Sequence, residues 1–327
     1  MNAGTDLWMR LNGCDEAAFE ALALEMYDHQ HRHNPLYRQF VQLLNRPAPR
    51  TLAEIPFLPI RFFKTREIKT GEWTAEAIFT SSTTTGTHPG RHYIRNATHY
   101  LQNTVRGFEQ YYSSLSEWCI LALLPSYLER TGSSLVVMAD HWIKRSKYPQ
   151  SGFFLYDFQR LAATLRDCVD KQVPTLLLGV SFALLDFAEQ FPMPLHNVVV
   201  METGGMKGRR KELIREALHD RLQAAFQVSR IHSEYGMTEL LSQAYCRDGV
   251  AFQPADTLRA VVTEINDPFC IMPFGKTGTL NFIDLANADS CCFIATEDAG
   301  KVFEDHRFEV SGRLDASELR GCNLLYE

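Results

Sequence analysis

The stretch Pro174-Thr175-Leu176-Leu177-Leu178-Gly179 decides the architecture. An apolar run this short, closed by Pro and Gly, reads as a buried strand of the kind found inside a parallel sheet. The runs at 119–124 and 197–201 have the same form, and helix-compatible segments follow, such as 208–226. Strand and helix in alternation predict βαβ units and a largely parallel sheet. Past residue 256 the spacing tightens into strand-like pieces at 258–265, 279–283 and 292–295, which suits a more antiparallel or barrel-like subdomain.

Upstream, residues 15–45 read as two helices. Phe19, Leu22 and Met26 recur at helical spacing after a capping Asp15, and Asn34-Pro35 opens a second run that Pro47 and Pro49 end. Residues 55–63, with Pro56 and Pro59, read as an extended, partly buried segment wrapping the main body. His29, His31 and His33 fall on different helix faces, so they read as a polar helix end and not a metal site. Asp140-His141 reads as a hydrogen-bonded structural pair.

Composition narrows the function. The 327 residues are 45% hydrophobic and 22% charged, enough for one large core or two moderate ones, and an α/β enzyme is the default class. A net charge of -6, with Lys and Arg dispersed, offers no basic stripe to a nucleic acid. No stretch reaches 18 uninterrupted apolar residues, and no basic-then-apolar leader opens the chain, so a cytoplasmic location without a membrane span is expected. The eight cysteines contain no CxxC and read as reduced thiols.

Two motifs carry chemistry. Ile78-Phe79-Thr80-Ser81-Ser82-Thr83-Thr84-Thr85-Gly86 places six hydroxyl residues before a glycine, a donor-rich loop able to wrap phosphate oxygens; taken alone, such a run is more often a solvated loop. It is not a Walker A motif, because no Gly-Lys-Ser/Thr follows. His232-Ser233-Glu234-Tyr235-Gly236-Met237-Thr238-Glu239 packs an aromatic, a glycine and a carboxylate together. It can stack a base on Tyr235, admit a ligand at Gly236 and offer Glu239 to Mg²⁺, or it can be a turn with Glu239 capping a helix.

Taken in order with Glu202-Thr203-Gly204-Gly205, Thr296-Glu297-Asp298 and Gly312-Arg313-Leu314-Asp315, these motifs resemble the core motifs of adenylate-forming enzymes from about residue 55 to the end. The stretch from Gly312 through Asn323 is similar to the hinge of phenylacetate-CoA ligases. Leu123-Leu124-Pro125-Ser126-Tyr127-Leu128-Glu129-Arg130, and Met138-Ala139-Asp140-His141 beyond it, resemble the acyl-protein synthetase (long-chain-fatty-acid luciferin-component ligase) family of bacterial luminescence.

The resemblance implies an α/β fold, the large N-terminal domain of adenylate-forming enzymes, with two packed α/β sheets and a smaller β-rich subdomain. Residues 1–70 would be a helical and extended segment packing on the main body, 71–310 the large domain and 311–327 a hinge and truncated tail. It implies ATP and Mg²⁺ as cofactors, a carboxylic acid of the fatty type as substrate, and an acyl reductase or acyltransferase as protein partner. Ser81, Ser82, Thr84, Thr85 and Gly86 would bind phosphate, and Tyr235, Gly236 and the Gly204-Gly205 turn the adenine. Thr238 would touch the α-phosphate, Glu239 hold Mg²⁺, Asp298 and Arg313 bind the ribose, and Cys322 accept the acyl group. Two departures accompany it. Thr83 stands where the family loop has Gly. The sequence also ends twelve residues after Asp315, before any domain carrying the family's catalytic lysine, so adenylation is expected to draw on this domain, a partner or Mg²⁺. A CoA ligase component and a non-catalytic nucleotide- or acyl-adenylate-binding subunit remain open alternatives.

Overall fold

Asn34 and Pro35 start a helix for the reason their order implies: the Asn34 side chain accepts from the Tyr37 N–H at 3.0 Å, and Pro35 lacks an N–H to satisfy. The helix stops at Asn45, whose φ of 48° is left-handed, just before Pro47. The computed structural model describes residues 16–81, 89–124, 132–155, 157–204 and 214–314. Its helices are α1 (Glu16–His33), α2 (Pro35–Leu44), α3 (Phe62–Thr65), α4 (Ala97–Glu109), α5 (Ser134–Arg145), α6 (Phe158–Asp170), α7 (Ser181–Gln190) and α8 (Arg215–Phe226). Its strands are β1 (Leu58–Pro59), β2 (Ala77–Thr80), β3 (Arg91–Ile94), β4 (Cys119–Leu123), β5 (Gly152–Phe153), β6 (Thr175–Val180), β7 (Val198–Thr203), β8 (His232–Tyr235), β9 (Ala244–Cys246), β10 (Gln253–Pro254), β11 (Leu258–Thr263), β12 (Gly278–Asp284), β13 (Phe293–Val302) and β14 (Phe308–Arg313).

The chain divides into two compact units, one of residues 98–238 and 243–252, the other of residues 1–97, 239–242 and 253–327. The former is built on the three apolar runs. In the order β9-β8-β7-β6-β4-β5, every neighbouring pair is parallel except β8 with β9. β4 and β6 are buried along their whole length, which is why they read as continuous apolar runs and not as alternating ones. Helices α5 to α8 supply the crossovers, and Asp157 caps α6 by accepting from the Arg160 N–H at 3.0 Å. The helix expected over 208–226 runs from Arg215 to Phe226, and residues 208–213 lie outside the described residues.

The other unit carries a mainly antiparallel sheet, β1-β13-β12-β11, with β14 also pairing β13 and β1 alone running parallel. Buried Phe282, Phe293 and Phe308 anchor its core. The strand expected at 292–295 extends to Val302, with a register shift between Ala299 and Gly300 that lets its far end pair with β14. Residues 55–63, expected to be extended throughout, hold only the two-residue β1 before α3 turns. Within this unit Gln30 of α1 donates to the Asn287 and Ala288 carbonyls, both at 3.1 Å. At the end of α1 His31 stacks on Tyr27, while His29 and His33, expected on different faces, lie against each other because residues four apart share a helix face. Strands β2 and β3 form a separate antiparallel hairpin. No helix among the described residues is long and apolar enough to cross a membrane.

Candidate active site

In the unit with the antiparallel sheet, the β2–β3 hairpin ties the two ends of the hydroxyl-rich loop. The Ser81 N–H donates to the Gly90 carbonyl at 3.0 Å, and the Gly90 N–H donates to Ser81 Oγ at 2.8 Å. Ser82, Thr84, Thr85 and Gly86 lie outside the described residues. Glu239 reaches the same place: a Cβ at Gly90 would sit 2.8 Å from Glu239 Oε1, 3.1 Å from Ser81 Oγ and 3.8 Å from Lys64 Cγ. Only glycine leaves that space open.

Glu239 is 6% exposed. Burial pushes its carboxyl up to about 7; its own backbone N–H and the nearby Arg313 and Lys64 charges act downward, and Asp298 adds to the rise. Asp298 and Arg313 are register partners across β13 and β14, with Arg313 Nε 3.5 Å from Asp298 Oδ1. The Arg313 side chain is 82% exposed, so its remaining donors face solvent. Ser81, Glu239, Asp298 and Arg313, far apart in sequence, therefore share one neighbourhood. The helix that Glu239 was expected to cap as an alternative is absent: residues 238–243 hold a turn and irregular backbone leading into β9.

The unit with the parallel sheet holds the remaining described candidates at the carboxyl ends of β7 and β8. Gly204 has φ of 66°, a conformation that favours glycine, and its carbonyl accepts from Ser181 Oγ at 2.6 Å. Tyr235 ends β8 with its ring 5.6 Å from that of Phe252, and Thr238 is half-buried. At Gly236 a Cβ would lie 2.6 Å from Glu234 Oε1, so this glycine accommodates the neighbouring carboxyl. Gly205 lies outside the described residues, as does Cys322.

Sequence reading missed Lys64 and Glu234. Lys64 sits in a short helical turn with no motif around it, and only tertiary structure brings it to Glu239. Glu234 was quoted without a role, yet it is the most confined acid of β8. The Thr203 hydroxyl donates to it, and Glu202 stands on the neighbouring strand with Oε1 3.7 Å from His219 Nε2. Burial pushes Glu234 up to about 7, the Thr203 bond acts against this, and Glu202 adds to it. The folded state therefore keeps a proton that the unfolded chain, near 4.5, has released. Stability that is full at low pH falls as pH rises through this window and levels off above about 7. Replacing Glu234 with Gln should remove that fall, so between about pH 5 and pH 8 the melting temperature of the variant should gain on that of the wild type. A difference that stays constant with pH would contradict this assignment.

Two further expectations meet the structure differently. Asp140 pairs with Lys144 at 2.6 Å, one helical turn on, instead of with His141. Among the described cysteines none forms a disulfide, and only Cys270 is exposed. Burial raises Cys246 to about 11 and Cys291 to about 12, which leaves both as inert thiols at neutral pH.

No family model matches the sequence, and no curated protein is significantly similar to it. Solved structures do share its fold. ATP-bound MatB from Rhodopseudomonas palustris matches with a TM-score of 0.53 and 17% identity, over 76% of this chain and 49% of that one. 2-Hydroxyisobutyryl-CoA ligase in the postadenylation state, in complex with 2-HIB-AMP, matches with a TM-score of 0.67 and 13% identity, over 92% of this chain and 68% of that one. The same ligase with 2-HIB-AMP and CoA, in the thioesterification state, also matches with a TM-score of 0.67. This chain spans about half the length of MatB. The fold is α/β with several sheets and matches the structures of adenylate-forming enzymes.

Proposed function

We propose that this chain activates a carboxylic acid, of the fatty type, with ATP and transfers the acyl group to its own Cys322 for delivery to an acyl reductase or acyltransferase. The observation that carries the reading is the gathering of Ser81, Lys64 and Glu239 at Gly90, with the Asp298–Arg313 pair close enough to act on the Glu239 charge, on a fold whose relatives in structure hold ATP or an acyl-AMP. In the first step the acid's carboxylate oxygen bonds to the α-phosphorus of ATP while pyrophosphate leaves. In the second a thiolate bonds to the acyl carbon and AMP leaves, carrying the bonding pair of the broken C–O bond.

The residues present suit this chemistry. Lys64 and Arg313 offer positive charge to phosphate and ribose, and the Ser81 hydroxyl and the loop beyond it offer donors. Thr238 is assigned to the α-phosphate, with Tyr235, Gly236 and Gly204 on the adenine. Glu239 fits a metal site as a buried carboxylate, the cationic groups beside it suiting phosphate and not the metal; Mg²⁺ commonly takes one or two carboxylates and completes its shell with phosphates and water. Among the described residues no group of three or more acidic, His or Cys side chains could hold a metal ion. When bound, Mg²⁺ would neutralise charge on the phosphates.

Intact-mass analysis after incubation with ATP, Mg²⁺ and a panel of carboxylic acids tests the proposal: a hydroxylamine-labile acyl adduct on the polypeptide is expected. A second reading, a CoA ligase component, draws on the CoA-bound state of the 2-hydroxyisobutyryl-CoA ligase. Thioester on added CoA with none on the polypeptide would favour it. A pure binding subunit would release no pyrophosphate at all.

Tyr235→Ala and Asp298→Ala should each weaken ATP binding by about ten-fold while leaving the far-ultraviolet circular dichroism unchanged, because stacking and ribose hydrogen bonds act on the ligand. Calorimetric titration showing wild-type affinity in both variants would remove these residues from the site.

A further inference from the structure

Glu239 stands in a segment without helical or strand hydrogen bonds, so something else must fix its direction. Two side chains of one corner do this. Asp284 ends β12 and is fully buried. Its Oδ2 accepts from the Leu241 N–H at 2.7 Å and the Ser242 N–H at 3.1 Å. Its Oδ1 accepts from Ser242 Oγ at 2.6 Å and from the Ala286 N–H at 3.1 Å. Because the Ser242 hydroxyl proton goes to the carboxylate, the 2.7 Å contact with Thr257 has Thr257 Oγ1 as donor. Asn287, three residues beyond Asp284, donates from Nδ2 to the Glu239 carbonyl at 2.8 Å, and its Oδ1 accepts from Ser290 Oγ at 3.3 Å.

The backbone of Glu239 and of the residues two and three beyond it is thus clamped to a single rigid turn after β12. That turn is itself held, with the Asp284 N–H donating to the Cys292 carbonyl at 2.8 Å and the Leu285 N–H to the Thr257 carbonyl at 2.9 Å. Within its own turn Asp284 accepts from the Ala286 N–H and, at 3.4 Å, from Asn287 Nδ2; its three remaining contacts go to the segment after Glu239. We infer that Asn287 and Asp284 are positioning residues that hold Glu239 in place for a divalent cation and phosphate, an inference resting on the proposed reading of Glu239. They need not touch nucleotide or acid, and act through the backbone they hold.

The test uses the full chain with Asn287→Ala, Ser242→Ala and, as a comparison, Thr70→Val. Thr70 donates to the Ser290 carbonyl at 2.7 Å and belongs to the buried network without touching the Glu239 segment. Melting temperature, Mg²⁺ half-saturation in acid-dependent pyrophosphate release and hydrogen exchange over residues 239–242 are measured for each. Asn287→Ala and Ser242→Ala should raise the Mg²⁺ half-saturation by about ten-fold, as loss of outer-shell partners does, and speed exchange in this segment. Thr70→Val should lower the melting temperature without moving either reading. An unchanged Mg²⁺ half-saturation in Asn287→Ala, with Glu239→Gln shifting it, would overturn the inference alone. If Glu239→Gln leaves it unmoved, the reading of Glu239 fails instead. Exchange unchanged in Asn287→Ala would overturn the clamp whatever the activity.

Discussion

Replacing Glu239 with Gln should lower acid-dependent pyrophosphate release about ten-fold or more, a loss of about 1.4 kcal/mol or greater in transition-state stabilisation. The substitution keeps the shape that fits over Gly90, where Glu239 Oε1 approaches a glycine that no larger residue could replace without displacement. It removes the charge a hard cation prefers, and Lys64 and Arg313 nearby would then face a neutral amide. The melting temperature should hold or rise slightly, since burial works against this carboxylate more than the nearby Arg313 and Lys64 charges favour it. Unchanged activity together with unchanged Mg²⁺ dependence would reduce Glu239 to a structural residue of its turn.

The second large effect concerns the acyl acceptor. Cys322→Ala should keep acid-dependent pyrophosphate release and lose the hydroxylamine-labile acyl label entirely, because the thioester needs a thiolate but adenylation does not. Cys322 lies outside the described residues, yet the rest of the molecule narrows its competitors. Cys119, Cys168, Cys246, Cys291 and Cys292 are buried, which blocks access, and burial also disfavours the thiolate at Cys246, Cys291 and Cys292. Of the described thiols, Cys270 alone is exposed, so Cys270→Ala is the matched comparison and should leave labelling intact. Full labelling of Cys322→Ala would move the acceptor to another thiol; label found only on added CoA would favour the CoA ligase reading.

The parallel sheet was legible because β4 and β6 are buried on both faces, so their sequences are nearly pure apolar runs. The far half of β13 was not, since Thr296, Glu297 and Asp298 interrupt the apolar pattern. The β2–β3 hairpin escaped for a related reason: with Ile78 exposed and Phe79 buried, its few residues give too short an alternation to separate from loop. The candidate site was legible only through the order of its motifs. Nothing local joins Ser81 to Glu239 or Asp298 to Arg313; the first pair meets at Gly90 and the second through the register of two strands. Lys64 and Asn287 carried no signal at all, because a lysine in a short turn and an asparagine after a strand gain their meaning from tertiary contacts alone.

Exchange of labelled pyrophosphate into ATP, measured with Mg²⁺ and a series of carboxylic acids of increasing chain length, reads the reversal of acid adenylation without depending on the acyl acceptor. Exchange that requires an acid, persists in Cys322→Ala and falls about ten-fold or more in Glu239→Gln is the expected result. ATP binding without exchange for any acid in the series would contradict acid activation and leave a nucleotide-binding module.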